Sequence, residues 1–280
     1  MAYKLGIIGY PLGHSISAVI QKAGFESLNL DATYEVLETP PDKLIDRIKF
    51  LKGNEFDGFN VTIPLKIPVS LFVNDIDEDA NIAGCVNTVR IEPDKTLYGY
   101  NTDIYGFVTA IPKDIDLEGK CAAILGTGGA SRAAAVGLVR KGIKEIDFYT
   151  RNVINSQQAI NYLRAKFPGI KFEAHQIQGV RDLSKYAIVV NATPIGMRGF
   201  AMDESPIGNE VVKTIKSDAI VYDIVYNPMD TLLLQYAKKQ NLRIVEGLDM
   251  LIYQAEKAIS IWTGKSPSVC EMKIAALRAL

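Results

Sequence analysis

The chain has little cysteine, and what it has is scattered. Cys85, Cys121 and Cys270 are isolated, odd in number and form no C-x-x-C pair, so neither a disulfide framework nor a cysteine-based zinc site is expected. There is no surplus of charge either: 31 Lys and Arg face 32 Asp and Glu, a net charge of −1. With no basic run or Arg-rich face, no nucleic-acid partner is expected. No apolar stretch reaches the roughly 18 residues of a membrane-spanning helix, so no membrane partner is expected. The opening M-A-Y-K-L-G-I-I-G-Y-P lacks a basic segment followed by a long apolar one and reads as a first strand, not a signal peptide. Repeats and low-complexity tracts are missing as well. What remains is an ordinary composition, 48% hydrophobic and 22% charged over 280 residues. It suits one or two globular domains, expected in the cytoplasm.

Apolar runs alternate with helix-period segments. The strand-like pieces are 5–8, 33–37, 56–62, 121–125, 146–149, 188–191, 220–223 and 243–245. Amphipathic stretches lie between most of them, such as 41–51, 131–140 and 231–239. Parallel strands need a crossover of about a dozen residues, so this alternation predicts βαβ units. The polar, turn-rich stretch 112–120 interrupts the pattern before a fresh strand at Cys121, which predicts two α/β domains with mainly parallel sheets and a cleft between them. A final helix is expected over 247–262, from apolar residues at 248, 251, 252, 255, 259 and 262.

The second sheet opens C-A-A-I-L-G-T-G-G-A-S-R-A-A-A-V. A strand, a glycine turn over Gly126-Thr127-Gly128-Gly129-Ala130 and an Ala-rich helix form the context of a dinucleotide site, where a helix N-terminus faces the pyrophosphate. The third fingerprint position is Ser131. The next strand ends at Tyr149-Thr150-Arg151. An NAD site usually carries an acid there, whereas an arginine accepts a 2′-phosphate, which favours NADP. The plain alternative is a solvated loop arginine.

In the first half, G-F-N-V-T-I-P-L-K (58–66) places Lys66 just past a strand. Pro64 disfavours a helical Ile63, so a strand-to-helix turn is expected, with Lys66 near the start of the helix. A cation at that end is poorly placed as structure and is a candidate for proton transfer; the plain alternative is an exposed lysine. H-S-I-S (14–17) precedes an amphipathic helix running to about Leu28. One serine as N-cap is the simple reading, though two hydroxyls there can also grip a carboxylate. Asn87, in C-V-N-T-V-R, and Asp103, in Y-G-Y-N-T-D, complete the polar set. Asp103 falls where the first domain hands over to the second and is expected to face the cleft, while the Asn-Thr pair before it is often only a cap.

In this order, H-S-I-S, N-V-T-I-P-L-K, N-T (87–88), N-T-D (101–103), G-T-G-G-A (126–130), N-A-T-P-I-G-M (191–197), V-Y-N-P (225–228) and G-L-D-M-L-I-Y-Q (247–254) resemble the motifs of shikimate dehydrogenases across nearly the whole chain. The resemblance implies the reversible NADP-linked reduction of 3-dehydroshikimate to shikimate, a step of aromatic amino acid biosynthesis. It implies a substrate-binding and catalytic domain over 1–103 with 247–280, and a Rossmann-like NADP-binding domain over 104–246. Lys66 and Asp103 match the catalytic pair. Ser15, Ser17, Thr62, Asn87 and Gln254 match substrate-binding groups. Gly126, Thr127, Gly128, Gly129 and Ala130 match the pyrophosphate turn, and Arg151 the 2′-phosphate ligand. Thr193, Tyr226 and Gly247 match positions on the cofactor side. A monomer or homodimer is expected.

Two departures stand out. Ala18 stands where the family commonly has Pro, and Asn155 where a second basic residue often follows the arginine; the latter is expected to loosen the grip on the 2′-phosphate. A secondary alcohol that loses hydride must also lose its hydroxyl proton, and Lys66 hydrogen-bonded to Asp103 would hold that proton. No metal is expected, since no His, Cys or acidic residues are spaced along the chain to bind one; His14 and His175 read as structural. A quinate or dual quinate/shikimate dehydrogenase remains an alternative. A sensor that binds both ligands without turnover is another, although it would have no use for a proton-transfer pair.

Overall fold

The computed structural model describes residues 2–13 and 15–280; His14 lies outside the described residues. Among these, the chain forms two six-stranded sheets in two compact units, Met1–Gly106 with Ile252–Leu280, and Phe107–Leu251. Mixed α/β architecture with two mainly parallel sheets is what the alternating pattern requires.

The first unit runs β1 (Tyr3–Gly9), α1 (Ser17–Ser27), β2 (Ala32–Glu38), α2 (Leu44–Gly53), β3 (Gly58–Val61), β4 (Asp75–Ile76), α3 (Glu78–Ala83), β5 (Thr88–Ile91) and β6 (Leu97–Tyr100). Its sheet order is β2-β1-β3-β5-β6-β4. Only β5 runs against its neighbours, pairing Asn60 with Thr88 on one side and Thr88 with Tyr100 on the other. That reversal has a direct consequence. The ends of β1, β3 and β6 and the start of β5 all lie at one edge of the sheet, and there Lys66, Asn87 and Asp103 meet from three segments. β3 reads G-F-N-V with every residue buried, as suits the interior of a sheet covered on both faces.

The chain crosses into the second unit within α4 (Asp103–Ala110). There follow β7 (Cys121–Leu125), α5 (Gly129–Arg140), β8 (Glu145–Thr150), α6 (Val153–Lys166), β9 (Lys171–Gln176), β10 (Ile188–Asn191), α7 (Asn209–Val212), β11 (Ile220–Asp223), α8 (Leu232–Lys239) and β12 (Arg243–Val245). The sheet is parallel throughout, in the order β12-β11-β10-β7-β8-β9, the doubly wound arrangement of dinucleotide-binding folds. The order reverses between β7 and β10, and ligands of such sheets sit at that switch point, past the strands' carboxyl ends. Ala133, Ala134 and Ala135 of α5 are fully buried; small side chains let that helix lie close on the sheet.

α9 (Gly247–Thr263) and α10 (Val269–Ala279) end the chain. In the first unit, Trp262 Nε1 donates to the Val89 carbonyl at 3.0 Å, anchoring α9 to β5. No helix among the described residues is long and apolar enough to cross a membrane.

Candidate active site

Lys66 and Asp103 form the centre of the first unit's polar cluster. β3 ends at Val61, the Thr62 amide donates to the Ile8 carbonyl at 2.9 Å, and the Leu65 amide turns back to the Thr62 carbonyl at 2.8 Å. Leu65 and Val69 are fully buried and pin the loop, while the Val86 amide donates to the Lys66 carbonyl at 2.9 Å. Lys66 therefore does not begin an α-helix, contrary to the expectation from Pro64. It precedes a single 3-10 turn over Pro68–Leu71, and its surroundings are set by a carboxylate: Nζ donates to Asp103 Oδ2 at 2.6 Å. Asp103 is 3% exposed, so this charge-assisted bond is shielded from solvent.

Asn87 fixes the other side of Asp103. The Thr102 backbone N–H, which can only donate, lies 2.8 Å from Asn87 Oδ1, so the amide is oriented without ambiguity. Asn87 Nδ2 then donates to Asp103 Oδ1 at 2.8 Å and to Thr102 Oγ1 at 2.9 Å. Thr102 Oγ1 reaches Gln254 Oε1 at 3.4 Å, bringing α9 into the cluster. Behind it lies a second buried layer. Asn60 Nδ2 donates to Thr88 Oγ1 at 3.0 Å, and Asn60 Oδ1 accepts from Tyr34 Oη at 2.7 Å and Gln21 Nε2 at 3.1 Å. Burial pushes the Tyr34 hydroxyl well up, so it remains a donor to Asn60.

Ser15 and Ser17 flank the start of α1. Ser15 Oγ accepts from the Ser17 amide at 3.3 Å, but the N-cap position is Ile16, with no side-chain cap bond. The simple N-cap reading therefore fails, and both hydroxyls are left half-buried. Neither serine, nor Thr62, hydrogen-bonds to the Asp103 cluster.

In the second unit the glycine turn lies where the sheet order reverses. Gly126 has φ +105°, and a Cβ there would meet Thr193 Cγ2 at 3.1 Å and the Ala192 carbonyl oxygen at 3.2 Å, so the position demands glycine. Around Gly128 there is open space. Ser131 Oγ, fully buried, has no hydrogen-bond partner. An orphaned hydroxyl beside an open helix N-terminus suits an anionic ligand such as a nucleotide pyrophosphate. Arg151 is exposed immediately after β8, and Asn152 beside it caps α6 by accepting from the Asn155 amide at 3.0 Å. Thr193 follows β10 and donates to Asn191. Tyr226 follows β11 and is half-buried.

Two family models match the ends of the chain, and relatives match nearly all of it. The profile of the shikimate dehydrogenase substrate binding domain matches residues 7–89, and that of the shikimate 5′-dehydrogenase C-terminal domain matches residues 247–277. A shikimate dehydrogenase (NADP(+)) of Archaeoglobus fulgidus is 39% identical over 276 residues, 99% of this chain and 98% of the relative. The chain belongs to the shikimate dehydrogenase family. Among solved structures, the shikimate 5-dehydrogenase of Thermus thermophilus in complex with NADP(H) and shikimate superposes with a TM-score of 0.85 at 32% identity, covering 99% of this chain and 100% of that one. The quinate dehydrogenase of Corynebacterium glutamicum in complex with NAD gives a TM-score of 0.88 at 26% identity, with 99% of each chain covered.

The resemblance implied no role for Thr102, Asn60, Gln21 or Tyr34, yet all four hydrogen-bond within the cluster or the layer behind it. Thr102 lay in plain view inside N-T-D. Gln21 left a fainter signal, a polar residue beside Ile20 on the buried side of α1 with Gly24 and Phe25. Gly247 has a packing reason of its own: a Cβ there would strike the Ile224 carbonyl.

Spacing along the chain also hid a cluster that the shikimate dehydrogenase motifs do not include. Adjacent strands β8 and β9 bring Asp147, Glu173 and His175 together, with potential ligand atoms within 4.8 Å of one another. Lysines already neutralise it: Lys185 lies 2.6 Å from Asp147 and Lys171 3.2 Å from Glu173. Burial alone would raise the Asp147 carboxyl, but hydrogen bonds from Lys185 and Tyr186 outweigh it and hold the group below the usual range. His175 lies within this network, its ring 5.4 Å from that of Tyr149.

Proposed function

We propose that the protein is an NADP-dependent shikimate dehydrogenase, reversibly reducing 3-dehydroshikimate to shikimate. The observation that carries the catalytic reading is the buried contact of Lys66 Nζ with Asp103 Oδ2 at 2.6 Å, braced by Asn87 on the other carboxylate oxygen.

In this reading, Lys66 gives a proton to the reacting oxygen as the carbonyl becomes an alcohol, and the neutral amine takes it back in the reverse direction. Asp103, held by Asn87, keeps the Lys66 side chain in one place. Ser15 and Ser17 bind the substrate carboxylate, while Thr62, Asn87 and Gln254 hold the ring hydroxyls, so that the reacting carbon is oriented before reaction. The turn Gly126–Ala130, with the orphaned Ser131 hydroxyl beside it, holds the pyrophosphate, and Arg151 pairs with the 2′-phosphate. Thr193, Tyr226 and Gly247 line the cofactor side. The cofactor, when bound, would supply the hydride as NADPH in the reducing direction and accept it as NADP+ in the reverse. The substrate-binding domain is the first unit and the Rossmann-like domain the second. Three free cysteines suit the reducing cytoplasm.

Absorbance at the NADPH band tests this, with shikimate and quinate each offered with NADP and with NAD. Rapid turnover of shikimate with NADP supports the reading. Preference for quinate, or no turnover with any pair, contradicts it.

A further inference from the structure

We propose that Asp223 is a positioning residue for the nucleotide, its carboxylate holding the loop after β10 against the glycine turn. The proposal rests on the reading above that Gly126 and Thr193 face NADP. Asp223 stands beside Asn191 in the register of β10 and β11, and both are fully buried. The Thr193 backbone N–H, able only to donate, lies 3.0 Å from Asn191 Oδ1, and the Thr193 hydroxyl donates to the same oxygen at 2.7 Å. Asn191 Nδ2 must therefore face the other way, and it donates to Asp223 Oδ1 at 2.9 Å and to the Ile195 carbonyl at 3.2 Å. The loop so held rests on Gly126, which leaves no room for a side chain between them.

The same carboxylate reaches the next loop. Asp223 Oδ1 accepts from the Val225 amide at 3.0 Å, at the start of the V-Y-N-P turn that carries Tyr226. Oδ2 accepts from the Thr231 hydroxyl at 2.7 Å, and Thr231 Oγ1 in turn caps α8 by accepting from the Leu234 amide at 3.3 Å. One buried group thus ties together the loops that follow two adjacent strands.

The charge itself needs a reason. The groups facing Asp223 from β10, from the loop after β11 and from the start of α8 are neutral donors, and among the described residues no Lys, Arg or His shifts it. Burial pushes its carboxyl up to about 6, against the three hydrogen bonds that lower it. A neutral side chain would be easier to bury. Only the ionised form accepts from all three donors at once and grips Asn191 with a charge-assisted bond. The neutral acid must turn a proton towards Thr231 and hold Asn191 less firmly.

Asp223→Asn copies the shape of the neutral acid. Binding of NADPH, read by nucleotide fluorescence, is compared for the wild type and this variant from about pH 5 to about pH 8. NADH is run alongside, because the 2′-phosphate itself titrates near pH ~6. Wild-type affinity for both nucleotides is expected to weaken as pH falls through about 6. The variant is expected to bind about three- to tenfold more weakly at the upper end and, for NADH, with no dependence on pH. Its KM for NADP should rise more than its kcat falls. A folded variant that matches the wild type in affinity and profile overturns the proposal alone. So does a flat wild-type NADH profile through that range, which needs no variant. Wild-type protein that binds neither nucleotide overturns the functional reading and this proposal together.

Discussion

Asn87 donates to Asp103 Oδ1 at 2.8 Å, on the oxygen opposite the one that accepts from Lys66. The Asp103 carboxylate is therefore clamped from both sides, and the amide that clamps it is itself fixed by the Thr102 backbone. Asn87→Asp would replace the donor facing Asp103 with an acceptor, and two carboxylates in contact share a proton or repel. The variant is expected to lose at least about tenfold in kcat at neutral pH, the cost of leaving a buried carboxylate unpaired on that side. Part of that loss should return at lower pH, where one of the two groups protonates. A pH series of kcat checks this; an unchanged kcat would show that Asp103 does not need its second partner.

Arg151 is exposed at the end of β8, free to meet a ligand, and its guanidinium can pair bidentately with a phosphate. Arg151→Ala is expected to raise the KM for NADP by about tenfold or more while leaving that for NAD nearly unchanged. Steady-state kinetics with both cofactors settle it, and equal losses for the two would remove the arginine from 2′-phosphate recognition.

The raised carboxyl of Asp223 also sets a stability trend. A folded-state value of about 6, above the unfolded value, means that its contribution is fully present below about pH 4 and is lost as pH rises through about 6. Asp223→Asn removes that dependence. Its melting temperature, relative to the wild type, should therefore climb between about pH 4 and about pH 7, by an amount equivalent to at most roughly 3 kcal/mol. Paired thermal melts across that range measure it. A constant difference would mean that the group does not titrate there.

Gly247→Ala would drive a methyl group into the Ile224 carbonyl. Since backbone cannot yield as a side chain does, a loss of about 1–3 kcal/mol is expected by chemical denaturation. An unaltered midpoint would show that the start of α9 can shift.

How much of this could be read from the chain follows from burial. Strands β7, β10 and β11 came out of the sequence to the residue, because strands of a parallel sheet buried on both faces read as short apolar runs between turns; the edge strand β12, R-I-V with Arg243 exposed, has the bounds expected for it too. β9, K-F-E-A-H-Q at the sheet edge, carries charge on its open face and hid as a loop. β5 and β6 are four-residue strands interrupted by Arg90 and Gly99, too short for their alternation to show. The residues proposed for the site stand out as motifs in the sequence, but the side chains that support Asp103 and Lys66 do not. Asn60, Thr88 and Tyr34 meet only because β5 runs antiparallel between β3 and β6 and α1 and β2 lie alongside. The turn before Lys66 was misread for a related reason: Pro64 marks the end of a strand, while the carboxylate that governs the lysine lies 37 positions away.

Proton transfer by Lys66 is tested most directly by kcat for shikimate oxidation in Lys66→Ala, with KM measured in the same experiment. A positioned acid or base is worth about 10²–10⁴ in rate, so kcat is expected to fall by that factor. KM should change far less, because in the proposed reading Ser15 and Ser17 still bind the substrate carboxylate and Thr62 and Asn87 the ring hydroxyls. Adding Asp103→Asn should cost little more, as for residues that act as one unit. A Lys66→Ala enzyme with normal kcat and a raised KM would contradict the assignment and leave Lys66 as a binding residue only.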